Sequence, residues 1–545
     1  MKRNFSLTLL AGAVLAGCAT TSITPSDVTN GYNSIKADEL AKHIKVLASD
    51  EFGGRAPSSP GEKLTLDYLT NQFKALGFEP GNGNSFLQEV PLVSLEADSN
   101  MVLSIGGKDY QYKKDMVMGS SRISEKEGIE NSELVFVGYG VNAPEYNWND
   151  YEGIDVKGKT VVMLVNDPGF ATKDPALFTG DAMTYYGRWT YKYEEASRQG
   201  AAGAIIIHET APASYPWSVV ENSWSGEQFG FQKENNNMDR VAVEGWVTTD
   251  VAKELFSKAG LDFDTVKQNA AKGAYNVDMG DLTASVNVSN TIKTSVSYNF
   301  IATLPGSEMP DEHVIYSAHW DHLGTDTSRK GDQIYNGAHD NATGTAGLIE
   351  VAEAFTKLPK HPSRSMTFLA VTAEEQGLLG SKYYAANPVI AANKTVANIN
   401  MDSLNLLGKV KDMSVVGIGK SQMDEFLANA AKDQGRTLSG DPKPSSGGYY
   451  RSDHFAFANM GIPAMYAGGG TQAADEETAN YRKRMSLVLR GCYHQPCDRY
   501  RDEWDLSGAV QDLQLFYKVG FDISEQKQWP TWNTNSEFQR KQPKI

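Results

Sequence analysis

Apolar residues recur along this chain with two different periods, and the changes between them divide it. Between residues 35 and 78 the spacing is helical. Leu40, Ile44 and Leu47 share one face, Leu66, Leu69, Phe73 and Leu76 share another, and Gly77 is placed to end the second helix. The stretch between them, Ala48-Ser49-Asp50-Glu51-Phe52-Gly53-Gly54-Arg55, is polar and glycine-rich and reads as a loop, and residues 80–85 read as a turn. From about residue 120 to 285 the pattern shortens to strands, with 134–138, 160–165 and 204–207 the clearest. A helical stretch over 193–198 precedes the last of these, and Tyr and Trp are frequent throughout the region. From Val296 onward strands (300–304, 313–318, 366–372, 396–401) alternate with helical segments, in the manner of an α/β domain. One of these helices, 345–358, gathers Leu348, Val351, Ala352 and Phe355 on one face.

Length and composition sharpen this division. The 545 residues exceed one ordinary domain, which predicts two lobes or one catalytic lobe with a large insertion. Apolar residues make up 40% of the chain, enough for an ample core and against a long disordered region. A formal charge of -16 repels phosphate, so nucleic acid is excluded as a partner. Lys2 and Arg3 followed by an apolar run over 5–16 form a signal peptide too short to span a bilayer. Its end, Leu15-Ala16-Gly17-Cys18, resembles a bacterial lipoprotein cleavage box, with Cys18 as the lipid-modified first residue of the mature chain. The expectation is an exported lipoprotein of the periplasm or outer membrane, or an extracellular protein, attached to the membrane without crossing it. Setting Cys18 aside leaves Cys492 and Cys497, which in an oxidising compartment can close a small disulfide loop.

The candidate chemistry sits at strand ends. Ala318 leads into His319-Trp320-Asp321, Thr372 leads towards Glu374-Glu375, and Met401 runs into Asp402. Ligands of open α/β sheets lie beyond the carboxyl ends of the strands, so these groups should converge at one edge. Asp340 lies in a glycine-flanked loop (336–344) just before a helix, where helix capping with Asn341 is the plainer alternative. His494 falls inside the short cysteine loop, held rigidly enough for a metal ligand.

Taken together these motifs resemble peptidase family twenty-eight, the co-catalytic di-zinc exopeptidases. The resemblance rests on His-Trp-Asp at 319–321, Gly-Ala-His-Asp-Asn-Ala-Thr-Gly at 337–344, Ala-Glu-Glu at 373–375 and Asn-Met-Asp at 400–402. Ser-Asp-His at 452–454, Gly-Ile-Pro-Ala at 461–464 and Tyr-His at 493–494 complete it. The stretch 47–55 is similar to longer members, and the β-rich middle resembles a protease-associated insert domain. The family's fold is a mixed, mostly parallel sheet sandwiched by helices. The implied layout is a signal peptide (1–17), a tether (18–34), an N-terminal segment on the catalytic domain (35–119), the insert (120–290), the catalytic domain (291–530) and a polar tail (531–545).

The resemblance also implies roles. His319, Asp340 and Asp402 would hold one zinc ion, and Asp340, Glu375 and His494 a second, with Asp340 bridging because a carboxylate offers two oxygens. Asp321 would accept a hydrogen bond from the His319 ring, Glu374 would be the general base, and Tyr493 would donate to the developing oxyanion. Asp453 and His454 would line the pocket. His339 stands where many relatives carry an acid. His322 and His339 are expected in outer positions, and His43, His208, His313 and His361 in the core or at the surface. The implied substrates are peptides and the leading activity is an aminopeptidase. A carboxypeptidase or dipeptidase is the runner-up, since Arg451 and Arg499 lie near the motifs. A one-zinc glutaminyl cyclase is disfavoured by the full ligand set, and a non-catalytic peptide-binding lipoprotein by the intact Glu374.

Overall fold

A computed structural model describes residues 22–534 and 536–540. Cys18 and the expected signal peptide lie outside the described residues. The expected tether contains a capped helix instead, Pro25–Ser34, whose Thr24 and Asp27 satisfy each other's backbone N–H groups. Among the described residues, no helix is long and apolar enough to cross a membrane.

Four parallel strands form the centre of the catalytic half, ordered Arg364–Val371, Met309–His319, Thr395–Asn400, Ala464–Gly469. Their inward residues (Phe368, Val314, Tyr316, Ile399) are fully buried, as the near-continuous apolar runs of two-sided parallel strands require. Helices Ala37–Leu47, Pro60–Ala75, Thr343–Thr356 and Ser507–Glu525 contribute to the same core. Phe73, Phe300 and Phe368 meet there with ring centroids 5.1–5.6 Å apart. This is the mixed, mostly parallel α/β sheet with flanking helices that the sequence predicts.

A second lobe is built on the parallel strands Thr160–Leu164, Gly203–His208 and Val243–Thr248, and it has its own apolar clusters. One 28-residue strand, Val277–Leu304, joins the two lobes. Its first part pairs with Lys126–Phe136 in the second lobe, and residues 290–300 pair antiparallel with Leu87–Ala97. Its last part pairs with Arg364–Val371 of the catalytic sheet. The chain leaves along Leu87–Ala97 and returns along the partner strand.

Two assignments shift. Strands Val102–Ile105 and Met116–Gly119 bond into the second lobe, against residues 284–285 and 244–247, so that lobe begins near residue 98 instead of 120. Strands of four residues carry no sign in their own sequence of which sheet receives them. Residues 531–534 and 536–540 of the expected polar tail pack on the protein. Trp532 and Phe538 are buried, and the Trp532 indole donates to the Gly461 carbonyl at 2.9 Å.

Glu350, on helix Thr343–Thr356, is buried beside the Lys36 amide, and burial pushes its carboxyl up from 4.5 to about 8. Folded chain holds this proton over a pH range in which unfolded chain has lost it, so stability erodes as pH rises from 4.5 towards 8. Glu350→Gln removes that penalty. Its stability relative to the parent should grow by about 1–3 kcal/mol between pH 5 and 8. Denaturant titrations that stay parallel across this range would refute the assignment.

Candidate metal centre

Pairing of the central strands brings the chemistry together. His319 lies opposite Val371 and Ser317 opposite Asn400, so the three carboxyl ends open on one edge. They deliver His319, the 373–375 turn and Asp402. The loop 337–342 brings Asp340 to the same edge, and Asn341 fixes that loop. The Asn341 side-chain carbonyl accepts from the amides of Gly344 (2.9 Å) and Ser403 (3.0 Å), and its amide donates to the Met401 carbonyl (3.1 Å). His494 follows helix Glu476–Cys492 within the loop closed by the Cys492–Cys497 disulfide.

The five expected ligands meet in two groups that share Asp340. His319 Nε2 is 3.2 Å from Asp340 Oδ1 and 3.6 Å from Asp402 Oδ1. His494 Nε2 is 3.2 Å from Asp340 Oδ2 and 3.0 Å from Glu375 Oε2. Each oxygen of Asp340 thus faces a different group. His319 Nδ1 lies 3.2 Å from the Asp321 backbone carbonyl, to which it donates. In the neutral imidazole that a metal requires, its other nitrogen is a lone pair, buried without a hydrogen-bond partner and pointed at two carboxylates. Acceptors facing acceptors at this range need a cation between them, and His, Asp and Glu are donors that suit a divalent metal. The residues present fit such an ion.

Electrostatics mark the same spot. Burial opposes charge on His319, yet Glu374, Asp340 and Asp402 hold its pKa well above the usual imidazole range. His494 is likewise raised to about 10: burial disfavours the cation, but hydrogen bonds to Asp340 and Glu375 favour it. Burial, with Asp453, Asp402 and Glu375 nearby, pushes the Glu374 carboxyl well above the carboxylate range. A donor atom of Glu374 lies within 4.8 Å of donors on His319 and Glu375. Asp453, raised to about 6 by burial, accepts from Ser381 Oγ at 2.6 Å.

Three placements differ from expectation. The Asp321 carboxylate is 3.9 Å from His319 Nδ1, too far for the expected hydrogen bond, and it accepts the Glu374 amide at 3.1 Å instead. Its side chain therefore shapes the turn that carries Glu374, while its backbone carbonyl orients the histidine. His454 sits fully buried against the rings of Tyr449 and Tyr466, and burial holds it down at about 3, a neutral packing residue. Tyr493 is 58% exposed and stacks on the His494 ring at 3.9 Å.

Three further residues support the site and escape the motif reading. Asp498, just past the disulfide, accepts the amides of His339 (3.0 Å) and Asp340 (3.1 Å), tying the cysteine loop to the bridging carboxylate. His322 is buried against Glu375. Arg55 spends its guanidinium on four backbone carbonyls: Trp320 (2.9 Å), Leu47 (2.6 Å), Asn336 (2.6 Å) and Gly337 (2.8 Å). It thereby clamps both ligand loops to the loop between the first two predicted helices. Gly54 is needed beside it, since at φ +73° a Cβ would meet the Gly324 carbonyl at 2.4 Å. The signals for Arg55 were its place in the polar 48–55 stretch and the likeness of residues 47–55 to longer family members.

Imidazoles and carboxylates converging at the carboxyl edge of a parallel sheet form a candidate metal-binding centre. The model of peptidase family M28 matches residues 299–517, which hold all five ligand candidates, and this segment belongs to that family. Leupeptin-inactivating enzyme 1 of Streptomyces exfoliatus is 26% identical over 244 residues, 44% of this chain and 50% of its own. The chain thus spans half the length of that relative. An aminopeptidase of Pseudomonas aeruginosa is 23% identical over 489 residues, 85% of this chain and 76% of its own. The solved aminopeptidase from Aneurinibacillus sp. strain AM-1 shares the fold, with a TM-score of 0.50 at 20% identity, covering 91% of this chain and 96% of that one.

Arg55→Leu should leave several buried carbonyls unpaired and lower stability by about 3 kcal/mol or more. Metal content after dialysis should fall with it. A variant with unchanged melting temperature and full metal content would contradict the clamp.

Proposed function

We propose that this chain is an aminopeptidase that hydrolyses N-terminal residues of peptides with two zinc ions. The carrying observation is the sharing of Asp340, one oxygen towards His319 and Asp402, the other towards His494 and Glu375. His319, Asp340 and Asp402 would hold one ion, and Asp340, Glu375 and His494 the other. Bound zinc would polarise the scissile carbonyl and lower the pKa of the attacking water.

The chain's own groups supply the rest. Glu374 accepts the proton of the attacking water and returns a proton to the leaving amine, and its raised affinity for protons suits the second task. Tyr493, stacked on the His494 ring, would turn from its exposed position to donate to the developing oxyanion. The acidic lining (Glu374, Asp402, Asp453) favours a free α-amine. Arg499 is engaged by Asp332 and so is not free for a substrate carboxylate. Exposed Arg451 is the feature that keeps a carboxypeptidase as the second reading. The second lobe would be the protease-associated domain, and Cys18 the lipid attachment that retains the enzyme at a membrane face.

Free-amine peptides and aminoacyl-arylamides should be cleaved while N-acetylated peptides resist, and exhaustive chelation should abolish turnover. Cleavage of N-blocked peptides from the carboxyl end would establish the carboxypeptidase instead. Glu374→Gln should keep its metal content yet lose about 10²–10⁴-fold in kcat. Retained turnover in that variant would remove Glu374 from the role of base.

A further inference from the structure

His322 immediately follows the ligand strand's His-Trp-Asp, yet neither group of expected ligands includes it. Its ring is fully buried, and Nδ1 lies 2.6 Å from Glu375 Oε1, the tightest contact to that carboxylate. Nε2 has no partner among the described residues. The neutral tautomer that serves a metal-bound carboxylate therefore carries its proton on Nδ1 and donates it to Oε1. Glu375 is left with Oε2 alone directed at the site, 3.0 Å from His494 Nε2. The imidazole cannot easily turn away. A Cβ on Gly337 would sit 2.4 Å from His322 Cγ, so bare backbone packs on the ring, and the His322 amide is anchored on the Arg55 carbonyl at 3.3 Å. Its edge-to-face contact with His494 spans 5.6 Å between centroids.

The other terminal carboxylate is treated alike. Asp402 gives Oδ2 to the Ser452 hydroxyl at 2.7 Å and directs Oδ1 at His319. Each terminal ligand thus has one oxygen held closely by a neutral donor, although Asp402 Oδ1 also accepts a longer contact from the Ser403 hydroxyl at 3.3 Å.

Resting on the two-zinc reading above, we propose that His322 is a positioning residue for the second metal: by occupying Oε1 it makes Glu375 a one-oxygen ligand and sets the affinity of the Glu375–His494 site. Without that donor Glu375 is free to rotate, and the second ion loses a fixed ligand.

The test counts zinc and measures its release from purified full-length protein to a chromogenic chelator, for the parent, His322→Leu and His322→Asn. Asn offers an N–H near the position of Nδ1, and Leu offers none. We expect the Leu variant to hold one ion as the parent does and the second about 10- to 100-fold more weakly, with Asn recovering most of the loss. Two ions held as tightly in the Leu variant as in the parent, or Asn no better than Leu, would overturn the proposal. Should the Leu variant not fold, Asn against Gln decides, because Gln places its N–H near Nε2: equal release from these two is the overturning result. A parent that binds fewer than two zinc ions would instead defeat the two-metal reading itself.

Discussion

Six carboxyl groups, Asp321, Asp340, Glu374, Glu375, Asp402 and Asp453, are packed into one largely dehydrated edge of a sheet, and that mutual repulsion governs the architecture around it. Burial, with neighbouring carboxylates adding to it, raises Asp321 to about 7 and Asp453 to about 6, and both act on Glu374 in the same sense. Such a cluster persists only if its charge is balanced by cations and its geometry is held by groups outside it. The first requirement explains the lone-pair nitrogen of His319 directed at carboxylate oxygens. The second explains the surrounding ring of neutral donors: Ser381 on Asp453, Ser452 on Asp402, the Glu374 amide on Asp321.

Holding these groups draws in distant parts of the chain. Arg55, from the loop after the Ala37–Leu47 helix, bonds to carbonyls on either side of two ligand loops, although it is separated from them by 265 residues or more. Burial lowers its guanidinium to about 10, a penalty offset by nearby Asp498, Asp321 and Asp340. Asp498 works from the other end of the chain, linking the disulfide-closed loop of His494 to the backbone of Asp340. Oxidative closure of that loop therefore bears on both oxygens' surroundings at the bridging residue. It also explains why a ligand can come from a loop with an αL backbone, φ +55° at His494.

What could be read in the sequence follows from which physics is local. The parallel strands declare themselves because burial on both faces demands unbroken apolar runs, and the ligand candidates follow because strand ends must converge. Strand-end convergence pointed to His319, the 374–375 pair and Asp402, while Asp340 and His494 joined the set through the family resemblance, and the structure brings all five expected ligands within a few ångströms. The fate of strands 102–105 and 116–119 was not legible, since alternation fixes a strand's faces but not its neighbour. Nor was the burial of Trp532 and Phe538, two aromatics in a polar stretch. Arg55, His322 and Asp498 act through backbone carbonyls, amides or another ligand's second oxygen, and such partners leave no spacing pattern.

The 28-residue strand has a mechanical consequence. It is hydrogen-bonded at one end into the sheet of the second lobe and at the other into the catalytic sheet, and Leu87–Ala97 runs beside its middle as a second rail. Two lobes on a flexible linker would swing freely, but these are mounted on a continuous ribbon about 90 Å long. Moving one lobe against the other requires the ribbon to flex or twist against its own ladder of bonds. The setting of one lobe against the other is thereby governed by the bending stiffness of a beam whose bonds lie far from the ligand cluster.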